Sequence, residues 1–138
     1  MRALRPTINT KFHIDLSWWE KHNRDIRVYM LDHLCAECRE SVGTLSEVKW
    51  IDMVDPDTAE VLKVDALWEA IRACCSVKPG YITADTPLLD SIFRVLLANG
   101  NRALSVQELY DRLNRRPPET ILRVLTKGRV YLGIRPVQ

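Results

Sequence analysis

The 138-residue sequence lacks several features that mark common functional classes. Its five glycines are scattered singly, so there is no glycine-rich loop to bind phosphate. No stretch approaches the roughly 20 apolar residues of a membrane span, and residues 1–15 contain no apolar run typical of a secretory signal. No Ser/His/Asp arrangement is visible either. We therefore expect a non-enzymatic cytoplasmic protein that does not enter a membrane.

Charge is close to balanced over the whole chain, with a net value of +2, but its distribution is uneven. Residues 1–82 hold 11 Lys/Arg and 13 Asp/Glu, whereas residues 83–138 hold 9 Lys/Arg and only 5 Asp/Glu. The basic excess is strongest between positions 115 and 135. Such a local excess favours contact with phosphate or with an acidic protein surface.

The first region, residues 1–82, begins with an extended arm over residues 1–14, since Pro6 disfavours a helix there. Ser17 and Glu20 have the spacing of a capping box, which predicts a helix start. Apolar and aromatic residues then recur every three or four positions, at Trp18, His22, Ile26, Tyr29 and His33. This period predicts one long helix that continues through Cys38.

A β-hairpin and a short helix are predicted next. Two β-prone runs, residues 48–54 and 60–64, flank an Asp55-Pro56-Asp57 turn. Asp65 is a good N-cap for a short helix that ends near Cys74. The four tryptophans of the chain are expected to be core or interface anchors.

The second region, residues 83–138, is predicted to hold three helices followed by a β-segment. The first helix starts at Pro87 and ends at the turn around Gly100. Ser105 and Glu108 form another capping box, and Pro117 starts the third helix. Residues 129–134 have the pattern of a closing strand.

This order of three helices and a strand resembles a winged helix-turn-helix domain over residues 83–137. In such domains the third helix often enters the DNA major groove and the wing contacts the backbone. The resemblance implies a set of DNA-facing residues: Arg115, Arg116, Thr120, Arg123 and Lys127, with Arg129 and Arg135 near the wing. Only one wing strand is patterned, so the second is missing or is supplied elsewhere. Other winged helices bind proteins, which leaves a docking role open.

Four cysteines form two pairs, Cys35/Cys38 and Cys74/Cys75. A Cys-x-x-Cys spacing lets two sulfurs reach one ion, and tetrahedral zinc sites commonly combine two such pairs. We expect the two pairs to meet, with His33 as a candidate substitute for one cysteine. Structural zinc, an iron–sulfur cluster and buried free thiols remain open as alternatives.

Redox catalysis is not expected at Cys35 and Cys38. The motif is predicted to lie at the end of the long helix, where the helix dipole opposes thiolate formation. The cysteines are instead predicted to form a structural clasp.

Together these patterns predict a helix-rich α+β protein, with a cysteine-bearing first region and a winged-helix-like second region. The leading functional hypothesis is a metal-stabilised DNA-binding regulator whose first region can mediate homodimerisation. The alternative is a non-catalytic adaptor that docks onto a protein partner through the winged helix.

Overall fold

The computed structural model describes residues 5–42 and 50–137. These residues form a mixture of helices and strands, which confirms the predicted α+β class. In chain order the elements are β1 (Lys11–Ile14), α1 (Leu16–Lys21), α2 (Ile26–Asp32), α3 (Ala36–Val42), β2 (Trp50–Val54), β3 (Val61–Asp65), α4 (Ala66–Ala73), a 3-10 turn (Cys75–Val77), α5 (Leu88–Ala98), β4 (Leu104–Ser105), α6 (Val106–Leu113), α7 (Pro118–Thr126) and β5 (Ile134–Pro136). Within the described ranges no helix combines the length and apolarity needed to cross a bilayer.

The predicted long N-terminal helix is wrong, because the chain forms the three short helices α1, α2 and α3 instead. Asn23 adopts a positive φ of 54°, a left-handed conformation that asparagine tolerates and that ends α1. Asp25 then caps α2, its carboxylate accepting a hydrogen bond from the Arg27 amide. The predicted capping box at Ser17 is also wrong, since Asp15 is the N-cap of α1 and accepts from the Ser17 amide.

The predicted hairpin is confirmed over its described part, with β2 antiparallel to β3. Residues 48 and 49, which the prediction included, lie outside the described residues. Asp65 is the N-cap of α4, as predicted, and its side chain accepts from the Leu67 amide. The helix ends at Ala73 with Cys74 as its C-cap, so the position of the second cysteine pair at a helix end is confirmed.

The three predicted helices of the second region are confirmed as α5, α6 and α7. Ser105 and Glu108 form the expected reciprocal capping box at the start of α6. The turn after α5 contains Gly100 and Asn101, both at positive φ. The side chain of Asn101 also exchanges two 2.8 Å hydrogen bonds with the backbone of Ile14, which fixes this turn against β1.

The closing strand lies further along the chain than predicted, at Ile134–Pro136 instead of residues 129–134. Leu132 and Gly133 have φ values of 50° and 82°, so the chain turns there and cannot extend. The space at Gly133 is also tight: a Cβ there would lie 3.0 Å from the Asp15 carbonyl oxygen and 3.1 Å from Nε1 of Trp19. Only glycine fits at position 133 without strain.

A three-stranded antiparallel sheet joins the two regions in the order β4-β1-β5. Phe12 of β1 pairs with Leu104 on one side and with Pro136 on the other. The first region therefore supplies the middle strand of a sheet whose outer strands belong to the second. The division at residue 83 stays a prediction, and across it the two regions share a sheet.

One hydrophobic core also includes side chains from both regions. Its largest fully buried members are Phe12, Ile14, Met30, Leu67, Ile71, Ile92, Phe93, Leu96, Leu97, Val106, Leu109 and Ile121. Trp19 lies in the same core, and its indole Nε1–H donates to the Leu132 carbonyl at 2.9 Å. The core thus fixes the N-terminal helices, which carry one cysteine pair, against α4 and α5.

Candidate metal centre

The four cysteines approach from two places in the fold. Cys35 immediately precedes α3 and Cys38 lies in its first turn, whereas Cys74 and Cys75 lie where α4 gives way to the 3-10 turn. These places are close because α3 packs on α4. An ion pair between Arg27 of α2 and the α4 N-cap, largely buried on both sides, adds a second link between the N-terminal helices and α4.

The sulfur atoms form a tight cluster. The Sγ atoms of Cys35, Cys38 and Cys74 all lie within 4.8 Å of one another. The Sγ of Cys35 is 3.8 Å from that of Cys74 and 3.5 Å from that of Cys75. The prediction that the two pairs meet is confirmed, and three of these cysteines, with Cys75 beside them, can hold a metal ion.

Backbone amides face the sulfurs as well. The Cys35 amide donates to the Sγ of Cys75 at 3.3 Å. The Cys38 amide donates to the Sγ of Cys35, and this hydrogen bond is the largest influence that lowers the pKa of the Cys35 thiol to about 7. The Cys35 thiol therefore becomes a thiolate, the form that binds metal, more readily than an ordinary cysteine does.

The buried thiols behave in the opposite way. Burial is the main cause that raises the pKa of Cys38, and it also raises the pKa of Cys75. Without a metal these two thiols stay protonated at neutral pH. Metal binding must displace their protons, so the affinity of the cluster for a metal rises with pH.

The predicted position of the Cys35/Cys38 motif at the end of a helix is wrong, because the motif lies at the start of α3. The helix dipole therefore does not oppose a thiolate there. The lowered pKa of Cys35 agrees with this position. The electrostatic reason given above against redox chemistry does not hold in this structure.

His33 lies outside the cluster of close metal-ligating groups found among the described residues. Its Nδ1 is 2.7 Å from the Tyr29 carbonyl oxygen, and its ring stacks on Tyr29 with centroids 4.3 Å apart. His33 was expected as a candidate substitute for one cysteine, and the structure places it in contacts with Tyr29 instead.

An ion pair beside the cluster was missed at the sequence level. Lys78 Nζ lies 2.6 Å from a carboxylate oxygen of Glu37, and both side chains are exposed. Glu37 sits between Cys35 and Cys38, and Lys78 follows the 3-10 turn, so this pair bridges the same two segments as the sulfurs. No local pattern in the sequence indicates a contact between residues so far apart.

The residues predicted to face DNA fall into two groups. Arg116, Arg123, Lys127 and Arg129 are exposed, and Thr120 is half-buried on α7. Arg115 is half-buried instead, and its Nη1 donates to the Thr86 carbonyl at 2.9 Å and to the Ser91 hydroxyl at 3.0 Å.

Arg135 likewise has a partner inside the protein. Its Nη1 lies 3.2 Å from a carboxylate oxygen of Asp15, the N-cap of α1. This contact ties β5 to the start of α1. Arg115 and Arg135 thus both stabilise the fold, whereas the exposed basic side chains of and around α7 are available to a ligand.

Comparison of the chain with protein-family models, with curated proteins and with solved structures finds no match.

Proposed function

We propose that this chain is a small DNA-binding protein whose fold is held together by a structural zinc ion. Zinc occupies the cluster of Cys35, Cys38, Cys74 and Cys75, and the exposed basic residues on and beside α7 contact the DNA backbone. The observation that carries the proposal is the convergence of the sulfur atoms from two distant segments.

The spacing of the sulfurs supports a single tetrahedral ion. Sulfurs bound at about 2.3 Å to one tetrahedral zinc ion stand about 3.8 Å apart. The distances from Cys35 to Cys74 and to Cys75 are 3.8 and 3.5 Å. Four thiolates also fill every position of such an ion and leave none for substrate, which is the character of a structural site.

The same spacing argues against an iron–sulfur cluster. In a cubane cluster each cysteine binds a different iron, so the four sulfurs surround a larger body than one ion. Sulfurs as close as those of Cys35 and Cys75 leave little room for it.

Metal analysis tests the zinc assignment directly. Tag-free protein purified without chelator is expected to contain about one equivalent of zinc, because the donor set is complete within one chain. Elemental analysis gives the amount, and an ultraviolet–visible spectrum separates colourless zinc from coloured iron sites. A content below about 0.2 equivalents of any transition metal contradicts the assignment.

The basic surface supports the DNA-binding part of the proposal. Arg116, Arg123, Lys127 and Arg129 form no ion pair with another residue of the described ranges, while Ile121 anchors α7 in the core. Unpaired cations on and beside a helix that is anchored in the core attract phosphate and release the counterions that surround DNA. The winged-helix resemblance of the sequence rests on three helices followed by a strand, and the order of α5, α6, α7 and β5 supports the proposal to that extent.

Salt-dependent binding to duplex DNA tests this part. The double variant Arg123→Ala/Lys127→Ala is expected to bind about tenfold more weakly, with a salt slope reduced by about two, because two phosphate contacts are lost. Fluorescence anisotropy over a range of salt concentrations measures both quantities.

The matched control is Lys21→Ala/Arg102→Ala, which removes the same charge from exposed residues elsewhere in the fold. Its binding is expected to stay within about twofold of the unsubstituted protein, apart from the small effect of net charge. If the unsubstituted protein shows no binding even at low salt, the DNA role is wrong and docking onto a protein partner becomes the leading hypothesis.

A further inference from the structure

One face of the β2–β3 hairpin is exposed over most of the length that the structure describes. Residues directly opposite in an antiparallel pair share a face of the sheet. The register pairs Val54 with Val61 and Asp52 with Lys63, and Trp50 follows on the same side. Asp65, which pairs with Trp50 on this face, is instead largely buried in its ion pair with Arg27. The five exposed residues are called the hairpin face below.

The hairpin face is more exposed than an apolar sheet surface normally is. Trp50, Val54 and Val61 are each 61–62% exposed. Between them lies the exposed ion pair of Asp52 and Lys63. A two-stranded sheet is marginally stable by itself in water, and among the described residues no third strand pairs with it. A partner surface that covers these side chains would stabilise the hairpin.

We propose that the hairpin face binds the hairpin face of a second copy of this chain and forms a two-fold symmetric dimer. A two-fold axis parallel to the strands places β2 of one copy over β3 of the other. Asp52 of one protomer then lies opposite Lys63 of its partner, and Val54 lies opposite Val61. Every contact occurs twice, as closed two-fold symmetry requires.

Charge complementarity selects this orientation. A two-fold axis that lies across the strands would place Asp52 over Asp52 and Lys63 over Lys63. Like charges so opposed disfavour association. The face is therefore self-complementary in one of the two arrangements and self-repelling in the other.

Apolar surface continues beyond the hairpin face. Trp50, Val54 and Lys63 also line an open groove of about 1020 Å³, which is bounded by Leu16 and Trp68 on the body of the protein. Leu16 is itself an exposed large apolar residue. Met53, Leu62 and Val64 of the opposite face line the groove as well, so it adjoins the hairpin face and adds apolar surface beside it.

The dimer does not rest on zinc or DNA binding. The hairpin face and the basic residues on and beside α7 have no residue in common. The oligomeric state is therefore informative whether or not the protein binds DNA.

Sedimentation equilibrium of the full chain tests the dimer. The unsubstituted protein is expected to be a reversible dimer with a dissociation constant in the micromolar range or tighter. Val54→Asp places a charge in the apolar contact and is expected to weaken dimerisation by at least about tenfold. The matched control Val28→Asp changes an equally exposed valine on α2 and is expected to leave the dimer intact.

A charge-swap pair separates the interface from the ion pair within each hairpin. Asp52→Lys makes both positions basic and Lys63→Asp makes both acidic, so each variant alone is expected to lose at least about tenfold in self-association. Mixed together, the two variants are expected to form a heterodimer, because opposite charges again face each other across the two-fold axis. Neither hairpin regains its own ion pair in this mixture. Recovery of association therefore reports the contact between copies.

Circular dichroism of each variant checks that the fold is retained. An unsubstituted protein that stays monomeric up to the highest soluble concentration overturns the proposal. So does a dimer that Val54→Asp leaves unchanged, or a mixture of the two charge variants that stays monomeric.

Discussion

Replacing Cys38 with serine is expected to abolish binding of the proposed zinc ion and to lower the free energy of unfolding by about 3–4 kcal/mol. This is the stabilisation that a ligand gives when its free concentration exceeds the dissociation constant by about 100-fold to 1,000-fold. Cys38 is only 4% exposed and contacts both segments of the cluster, so serine cannot replace the thiolate or pack equally well. Denaturant unfolding followed by circular dichroism measures the change.

A chelator provides the control for this prediction. Removal of zinc is expected to lower the stability of the unsubstituted protein to nearly that of Cys38→Ser, and to leave the variant almost unchanged. The remaining difference between the two metal-free proteins reports the packing change alone. A chelator that leaves the unfolding curve of the unsubstituted protein in place would show that no metal stabilises the cluster.

Truncation of Trp19 to alanine is expected to destabilise the protein by about 3–5 kcal/mol, the usual cost of removing a large aromatic side chain from a core. Trp19 is 2% exposed, and its ring packs against Phe93 and Tyr29. The variant also leaves the Leu132 carbonyl without the indole donor. Equilibrium unfolding gives the value.

Two further tryptophan variants test the physical reason. Trp19→Phe keeps an aromatic ring and loses the hydrogen bond, so its effect is expected to be clearly smaller than that of alanine. Trp50→Ala removes the same side chain from an exposed hairpin position and is expected to change stability by less than about 1 kcal/mol in the dilute monomer. Equal effects of Trp19→Ala and Trp50→Ala on stability would contradict the buried position of Trp19 and the exposed position of Trp50.

Local sequence signals predicted the helices of the second region well. Ser105 and Glu108 lie three residues apart and satisfy each other's amides, so the start of α6 depends only on neighbours in the sequence. The cap at Asp65 is of the same kind. Asn23 and Asp25 also indicated a break after α1. The apolar residues that recur every three or four positions continue across this break, and they led to the prediction of one long helix.

The cysteine cluster was predictable only in part. The Cys-x-x-Cys spacing predicted that Cys35 and Cys38 share a site, and a shared metal predicted that Cys74 and Cys75 join them. The start of α3 at Ala36 was hidden in the helical pattern, and with it the amide that lowers the pKa of Cys35. Contacts set by tertiary packing, such as that of Lys78 with Glu37, leave no local pattern to read.

The hairpin face shows a different limit of sequence reasoning. The β-prone runs predicted the two strands correctly, and Trp50 was expected to be a core or interface anchor. Apolar and polar residues alternate only imperfectly along these runs, so the sequence did not show which face of the hairpin is exposed. The register of β2 with β3 places Asp52 opposite Lys63, and only that register shows that the face is self-complementary.

The position of β1 between β4 and β5 has a consequence for how the protein folds. Phe12 must find partners at Leu104 and Pro136, which are separated from it by most of the chain. Pairings between such distant residues close long loops, and the entropic cost delays them relative to helix formation. During synthesis β1 leaves the ribosome long before either of these partners exists. We expect the nascent chain to acquire its helices early and to complete this sheet in a slow final step.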